Sequence, residues 1–324
     1  MKKEKAKQSQ IWLVMTGFSC NNNCIMCSTR PKADSFSDRP TDKIIDDLKK
    51  GRVLGYEEVD FTGGEPTIRP DILHLIEIAK ELGYKKIGFN TNARMLSYEK
   101  FCRKLVENGV NRVTLTLNGH DKKLVDAIAR TPGTFNQAIA GIKNISRYSH
   151  VELSANTVVS RLNYRYLKEI GQFIRNQGIR SWHLLDLIPD GNAKPLYKNL
   201  YVGAPELSGA LNDLENTIQL FDSVMFFDFP LCFFSAEMRQ EKRNHFITAK
   251  GRMEITKQVG YNPKRFKESE KGFYDIHKKR IGVCEQCKFS HDCAGVWEDY
   301  LSLCGEREIR YLAENHSCFN SLGL

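Results

Sequence analysis

The 324-residue chain is 41% hydrophobic and 27% charged with a formal net charge of +9, values of a folded globular protein that exclude fibrous and low-complexity classes. Its longest apolar patch, Val224 to Phe234, contains Asp228 and Pro230 and is far short of the roughly 20 residues that span a bilayer, and Ile11 to Met15 is too brief for a signal-peptide core. Basic residues are dispersed rather than gathered into a tract, so nucleic acid is not expected as a partner, no membrane contact is expected, and a cytoplasmic protein is.

In chain order, β-branched and apolar clusters predict strands near Ile11–Thr16, Glu57–Thr62, Lys85–Thr91, Arg112–Leu117, Val151–Val159 and Trp182–Ile188. Helical stripes separate them. Ile72, Ile76 and Ala79 mark one after Pro70, and Leu167, Ile170 and Ile174 mark another. Six βα units in succession imply a parallel sheet, wrapped as a partial (β/α)6 barrel or doubly wound. Pro189-Asp190-Gly191-Asn192 reads as a turn, after which the βα rhythm is lost. A boundary is therefore expected near residue 195, with a core domain over 1–195 and a smaller cysteine-rich domain over 196–324.

Ten cysteines without a secretory signal are more readily metal ligands or catalytic groups than disulfides. Cys20, Cys24 and Cys27 form a CxxxCxxC set directly after the first strand. Three thiolates can hold a 4Fe-4S cluster and leave one iron open. A structural zinc site would need a fourth ligand, and none follows nearby. Asn21 to Asn23 suit a turning loop.

At this point the sequence resembles the radical S-adenosylmethionine (SAM) superfamily, whose hallmark is this loop. The resemblance continues through Gly63-Gly64-Glu65-Pro66 after the second strand, which matches the family's GGEP motif at the SAM amino group. Glycines permit close backbone approach, and Glu65 offers a carboxylate to an ammonium. Asn92 follows the third strand. Asn118 follows the fourth, where family members often carry Asp. Arg130 in Arg130-Thr131-Pro132-Gly133-Thr134-Phe135, Asn156 on the fifth strand and Ile188 at the end of the sixth complete the set, with Met26 inside the loop. These positions are implied SAM contacts. Nearly all fall at C-terminal strand ends, the face on which parallel barrels assemble their sites.

Cys284-x-x-Cys287-x5-Cys293 resembles the auxiliary-cluster regions of SPASM and twitch members of that superfamily. The resemblance thus implies a TIM-like partial barrel with a small C-terminal auxiliary-cluster domain. A closed auxiliary 4Fe-4S cluster needs a fourth thiolate, for which Cys232 is preferred, with Cys304, Cys318 or an open position as alternatives. Zinc is the rival at this second site, since four-cysteine zinc is common in small modules. Cys102, within a predicted helix, reads as a small buried hydrophobe.

The resemblance implies reductive cleavage of SAM to a 5'-deoxyadenosyl radical that takes hydrogen from substrate, with electrons from a flavodoxin or ferredoxin. Only ten residues precede the first strand, which favours a small-molecule substrate (a sugar, nucleoside or amino-acid derivative) or a short delivered peptide. The end Ser321-Leu322-Gly323-Leu324 lacks the Gly-Gly tail of the molybdenum-cofactor cyclase and points away from it. A peptide-modifying maturase is the alternative. A non-catalytic iron-sulfur or zinc protein is the second. His183, Asp186 and Tyr201 near the sixth strand end read as hydrogen-bonded structural residues, and the sequence names no general base.

Overall fold

From the second predicted strand to the sixth, apolar and polar side chains alternate: Val59 and Phe61 against Glu58 and Asp60, Trp182 and Leu184 against Ser181 and His183. Period-two alternation gives a strand one apolar face and one polar face. The computed structural model, which describes residues 10–29, 37–247, 256–259 and 277–319, places those strands side by side in one parallel sheet.

The sheet comprises β1 (Ile11–Met15), β2 (Glu58–Thr62), β3 (Lys86–Thr91), β4 (Arg112–Thr116), β5 (Glu152–Val158), β6 (Ser181–Leu185), β7 (Ser223–Phe227), β8 (Asn244–Ile247) and β9 (Thr256–Val259). Their order is β8-β7-β6-β5-β4-β3-β2-β1-β9, a curled and incomplete barrel with β8 and β9 at its edges. The partial barrel expected from the sequence is therefore present, with more strands than six. The parallel sheet does not stop at residue 195. Helices Ala193–Leu200, Ala204–Asn212 and Glu215–Ile218 separate β6 from β7, which lengthens the crossover and hides the βα rhythm. β8 carries Asn244 and His245, so it has little of the apolar clustering by which strands are recognised.

Helices cover the convex face. Val14, Phe61, Phe89, Leu115, Trp182 and Phe226, each at most 1% exposed, meet Ile44 and Leu48, Leu75 and Ile76, Leu105, Ile142 and Ile170 of the covering helices. Cys102 is part of this core, as its place on a helix suggested. Among the described residues no helix is long and apolar enough to cross a membrane. The C-terminal Ser321 to Leu324 lies outside the described residues.

The concave face is polar and carries a buried ion triad. Arg112 on β4 meets Glu58 at 2.5 Å and Asp60 at 2.8 Å on β2, reaching across β3 at Gly88. A Cβ at Gly88 would sit 2.4 Å from Asp60 Oδ1, so glycine keeps the space the triad occupies. Burial pushes the Asp60 carboxyl up, and the Arg112 charge opposes that shift. Removing one partner of a buried ion pair leaves charge uncompensated. Arg112→Met is expected to cost about 3–5 kcal/mol in urea unfolding at neutral pH. A loss under about 1 kcal/mol, the scale of an exposed pair, would show that the triad is solvated.

Candidate functional site

The ladder between β1 and β2 continues past both strands. Thr16 N–H donates to Thr62 C=O at 2.8 Å, Gly64 N–H to Gly17 C=O at 2.9 Å, and Glu65 N–H to Ser19 C=O at 2.8 Å. This draws the 63–66 segment against the start of the cysteine loop. A Cβ on Gly64 would lie 2.0 Å from Ser19 O, and one on Gly63, whose φ is +128°, 2.4 Å from Gly17 O. The two glycines are thus required first by the approach of protein backbone. Asp38 fastens the same arm, its Oδ1 accepting from Phe18 N–H at 2.7 Å and Ser19 N–H at 2.9 Å. Burial opposes ionisation of Asp38, yet those donors and the Arg69 charge hold its carboxyl below the usual range.

Glu65 is buried at 2% exposure. Its Oε1 accepts from Thr67 N–H at 3.2 Å, Thr67 Oγ1 at 2.6 Å and Thr91 Oγ1 at 2.7 Å, and its Oε2 from Asn92 N–H at 2.7 Å. Three of these four donors converge on Oε1, and Oε2, with two lone pairs, meets only the Asn92 N–H. Burial raises its pKa, and the donors counter that rise. Asn92 then reaches the loop, its Nδ2 donating to Asn21 Oδ1 at 2.7 Å and lying 3.8 Å from Cys20 Sγ.

The rest of the loop is clasped from three further directions. Asn23 and Ile25 N–H donate to the C=O of Ala129 and Ile128, at the end of helix Lys122–Ala129, at 3.0 and 2.9 Å. Arg94 donates to Asn21 C=O, to Asn22 Oδ1 at 2.8 Å and to Gln137 Oε1 at 2.6 Å. Asn192 donates through its backbone to Cys27 C=O at 2.8 Å and through its side chain to Cys24 C=O at 2.8 Å. Beside it, Gly191 at φ +60° comes so close that a Cβ would stand 2.4 Å from Cys27 O. Arg94 and the 191–192 turn carry no sequence signal for this role beyond a charged residue near a strand end and a Gly-Asn turn.

Cys20, Cys24 and Cys27 are brought together, each half-buried. Burial, then the charges of Cys27 and Cys20, push the Cys24 thiol up to about 12. Backbone N–H groups of Asn22 and Thr29 donate to Cys20 Sγ and Cys27 Sγ, both at 3.4 Å. Met26 is buried at 5% exposure. Asn118 and Asn156 face the same mouth from β4 and β5, Asn118 Oδ1 accepting from Val158 N–H at 2.8 Å and Asn156 Oδ1 lying 2.9 Å from His183 Nδ1. Ile188 is half-buried beyond β6. Arg130 caps helix Lys122–Ala129 in the left-handed region with its side chain exposed.

Residues 14–174 match the sequence profile of the radical SAM superfamily. This chain belongs to that superfamily. A curated relative named AdoMet-dependent heme synthase, from Oleidesulfovibrio alaskensis, is 30% identical over 198 residues, covering 60% of this chain and 49% of its own. One named probable GTP 3',8-cyclase, from Sulfurisphaera tokodaii, is 32% identical over 179 residues, covering 55% and 56%. The chain thus spans about half the length of the curated relatives it matches. Among solved structures, native anSMEcpe with bound AdoMet and a Kp18Cys peptide superposes with a TM-score of 0.61 at 15% identity, over 94% of this chain and 97% of that one, which speaks for the radical SAM fold alone.

A second group of thiols lies beyond the radical SAM segment. Cys232, Cys284, Cys287 and Cys293 line one pocket of about 430 Å³, the open solvent at its mouth included, together with Pro230, Phe289 and Val296. Burial and then the thiols of Cys293, Cys318, Cys284 and Cys287 raise Cys232 well above its ordinary pKa. Cys318, fully buried, lies beside Cys287, and Lys288 N–H donates to its C=O at 2.9 Å. Cys304 instead adjoins Tyr201 and Tyr300. Among the described residues, at either cysteine group, no three His, Cys, Asp or Glu side chains converge closely enough to hold a single metal ion.

The ribbon of β10 (Lys278–Lys279) and β11 (Val296–Trp297) joins this ring to the barrel mouth. Lys278, only 1% exposed at its side chain, lies 3.6 Å from Asp186 Oδ2, donates to Asp228 C=O and stacks 4.5 Å over Trp297. Trp297 Nε1–H donates to Asp186 Oδ2 at 2.7 Å. Burial nonetheless raises the Asp186 carboxyl to about 6.

Two predictions follow from this geometry. A carboxyl with a raised folded-state pKa contributes stability that is present below its unfolded value and is lost as pH rises through about 6. Urea unfolding from about pH 5 to about pH 7.5 should therefore show wild type losing stability relative to Asp186→Asn, and parallel profiles would place the charge in solvent. Gly191→Ala should unfold more easily than Gly178→Ala. Both have positive φ, but a Cβ at Gly178 meets nothing within 4 Å, so it carries only the conformational cost of about 1–2 kcal/mol. Equal losses would mean that the turn does not press on the cysteine loop.

Proposed function

We propose that this protein is a radical SAM enzyme in which Cys20, Cys24 and Cys27 ligate a 4Fe-4S cluster. The observation that carries the reading is a three-thiol loop clasped at the C-terminal ends of parallel strands, with the 63–66 segment bonded along it. A cluster with one open iron would supply an electron to bound SAM, releasing the 5'-deoxyadenosyl radical that takes hydrogen from substrate. The protein's part is to hold and orient. Asn22 and Thr29 N–H groups stabilise the thiolates, Gly63 and Gly64 let the 63–66 backbone line the methionine end, and Glu65 keeps that segment in shape. Asn92, Asn118 and Asn156 present amides to the ligand, with Met26, Arg130 and Ile188 at its periphery.

Cys284, Cys287 and Cys293, with Cys232 as fourth thiolate, would hold an auxiliary 4Fe-4S cluster that assists oxidation or rearrangement, and Cys318 is the competing fourth ligand. SAM-side residues all precede residue 195 and auxiliary thiols all follow it, which supports a functional division there although the sheet crosses it. The polar concave wall of Ser154, Ser181, His183 and Ser223 suits a hydrophilic small molecule, such as a sugar, nucleoside or amino-acid derivative. Peptide modification is the second reading, favoured by the peptide bound to the anSMEcpe neighbour. The net charge of +9 suits an acidic flavodoxin or ferredoxin as electron donor, and ten free thiols suit a reducing cytoplasm.

Anaerobic reconstitution followed by incubation with SAM and dithionite tests both clusters. Wild type should hold about eight iron per chain and form 5'-deoxyadenosine. Cys24→Ala should hold about four and form none, whereas Cys232→Ser should lose auxiliary iron and Cys318→Ser should keep it. Full loading without 5'-deoxyadenosine overturns the enzyme reading. Zinc retained with about four iron overturns the auxiliary cluster.

A further inference from the structure

Asn118 and Asn156 sit side by side at the barrel mouth. Asn156 pairs with Thr116 in the β4–β5 register, and Asn118 follows two residues on, opposite Val158. Each carbonyl oxygen is already used, by Val158 N–H at 2.8 Å for Asn118 and by His183 at 2.9 Å for Asn156. Among the described residues neither Nδ2 has a protein partner within hydrogen-bond distance, although Asn118 is 8% exposed overall. Neither Nδ2 is a buried unpaired atom, so both NH2 groups open on the mouth, where they can donate to an acceptor of a bound ligand.

We infer that His183 is a positioning residue that fixes Asn156 with its NH2 group toward the mouth, so that Asn118 and Asn156 form a two-donor site for acceptor oxygens of bound SAM. The inference rests on the radical SAM reading above and adds a polarity and a cause to it. The Asn156 oxygen accepts, so His183 carries its proton on Nδ1. Its Nε2 then faces the Ser181 hydroxyl at 3.3 Å, which can donate and itself lies 3.0 Å from Ser223 Oγ. The Phe227 ring packs against the imidazole with centroids 5.7 Å apart. Burial lowers the His183 pKa to about 4, which keeps the ring neutral and this tautomer available at neutral pH. With Ser181 donating to Nε2, the neutral ring donates from Nδ1 to Asn156 Oδ1 and both neighbours are satisfied. A flipped Asn156 would set its NH2 against the Nδ1 proton.

The test uses the full reconstituted chain and reads SAM affinity by equilibrium dialysis, with iron content and melting temperature as controls. His183→Phe, which keeps a ring but cannot donate, should weaken SAM binding about 3–10-fold, the worth of one oriented hydrogen bond. In 5'-deoxyadenosine formation the effect should fall on KM for SAM and leave kcat within about twofold. His183→Gln can donate again to Asn156 and should recover most of the affinity. Asn156→Asp, which keeps the acceptor for His183 but turns an oxygen to the mouth, should weaken binding at least as much as His183→Phe. Wild-type affinity in His183→Phe or Asn156→Asp overturns the inference, as does equal weakening in His183→Phe and His183→Gln. If wild type itself binds no SAM, it is the radical SAM reading that fails.

Discussion

The hydrogen-bond ladder between β1 and β2 outlasts its own strands, and the rest of the site depends on that. Three more rungs carry it from Thr16 to Ser19 on one side and from Thr62 to Glu65 on the other. Backbones so close leave no room for side chains at Gly63 and Gly64. Glu65 then ties the far end of the ladder to Thr91 and Asn92 at the end of β3, and Asn92 returns to Asn21. The start of the cysteine loop is thus an extension of the sheet, held by the same kind of bonds as its strands.

The two faces of the sheet divide the work. The convex face is apolar and supplies the burial that stabilises the fold. The concave face keeps polar and charged groups that a closed, filled barrel would exclude. They are arranged in depth: the Arg112 triad sets one cation between two carboxylates across β2, β3 and β4, and the neutral Asn156–His183–Ser181 chain lies nearer the mouth. The Lys278, Asp186 and Trp297 cluster sits where the C-terminal ribbon meets β6 and β7, so the cysteine ring and the barrel mouth share a buried charge.

Much of this architecture is legible from local pattern. The starts of the first six strands fall within a residue or so of the apolar clusters that predict them, because period-two alternation is a local property. β7 and β8 are hidden for equally physical reasons, an extended helical crossover before one and a polar composition in the other. At the site, the cysteine spacing and the GGEP segment can be read directly, whereas their supports cannot. Asp38, Arg94 and Asn192 act on loop atoms far away in sequence, and nothing local distinguishes them from surface residues. Glu65 shows the same limit: the sequence offers its carboxylate to a ligand ammonium, and only the fold reveals that Thr67, Thr91 and Asn92 also hold it in place.

The clasp on the cysteine loop has a temporal side. Asn192 grips Cys24 across 168 residues of chain, and Ile128 and Ala129 grip the loop from roughly midway. At about 5–20 residues per second, ribosomal synthesis leaves the three thiols exposed for about 10–30 seconds before their last support emerges. For that interval the loop lacks the two hydrogen bonds that Asn192 gives it. It therefore reaches its final clasped form only after the sixth strand has been made.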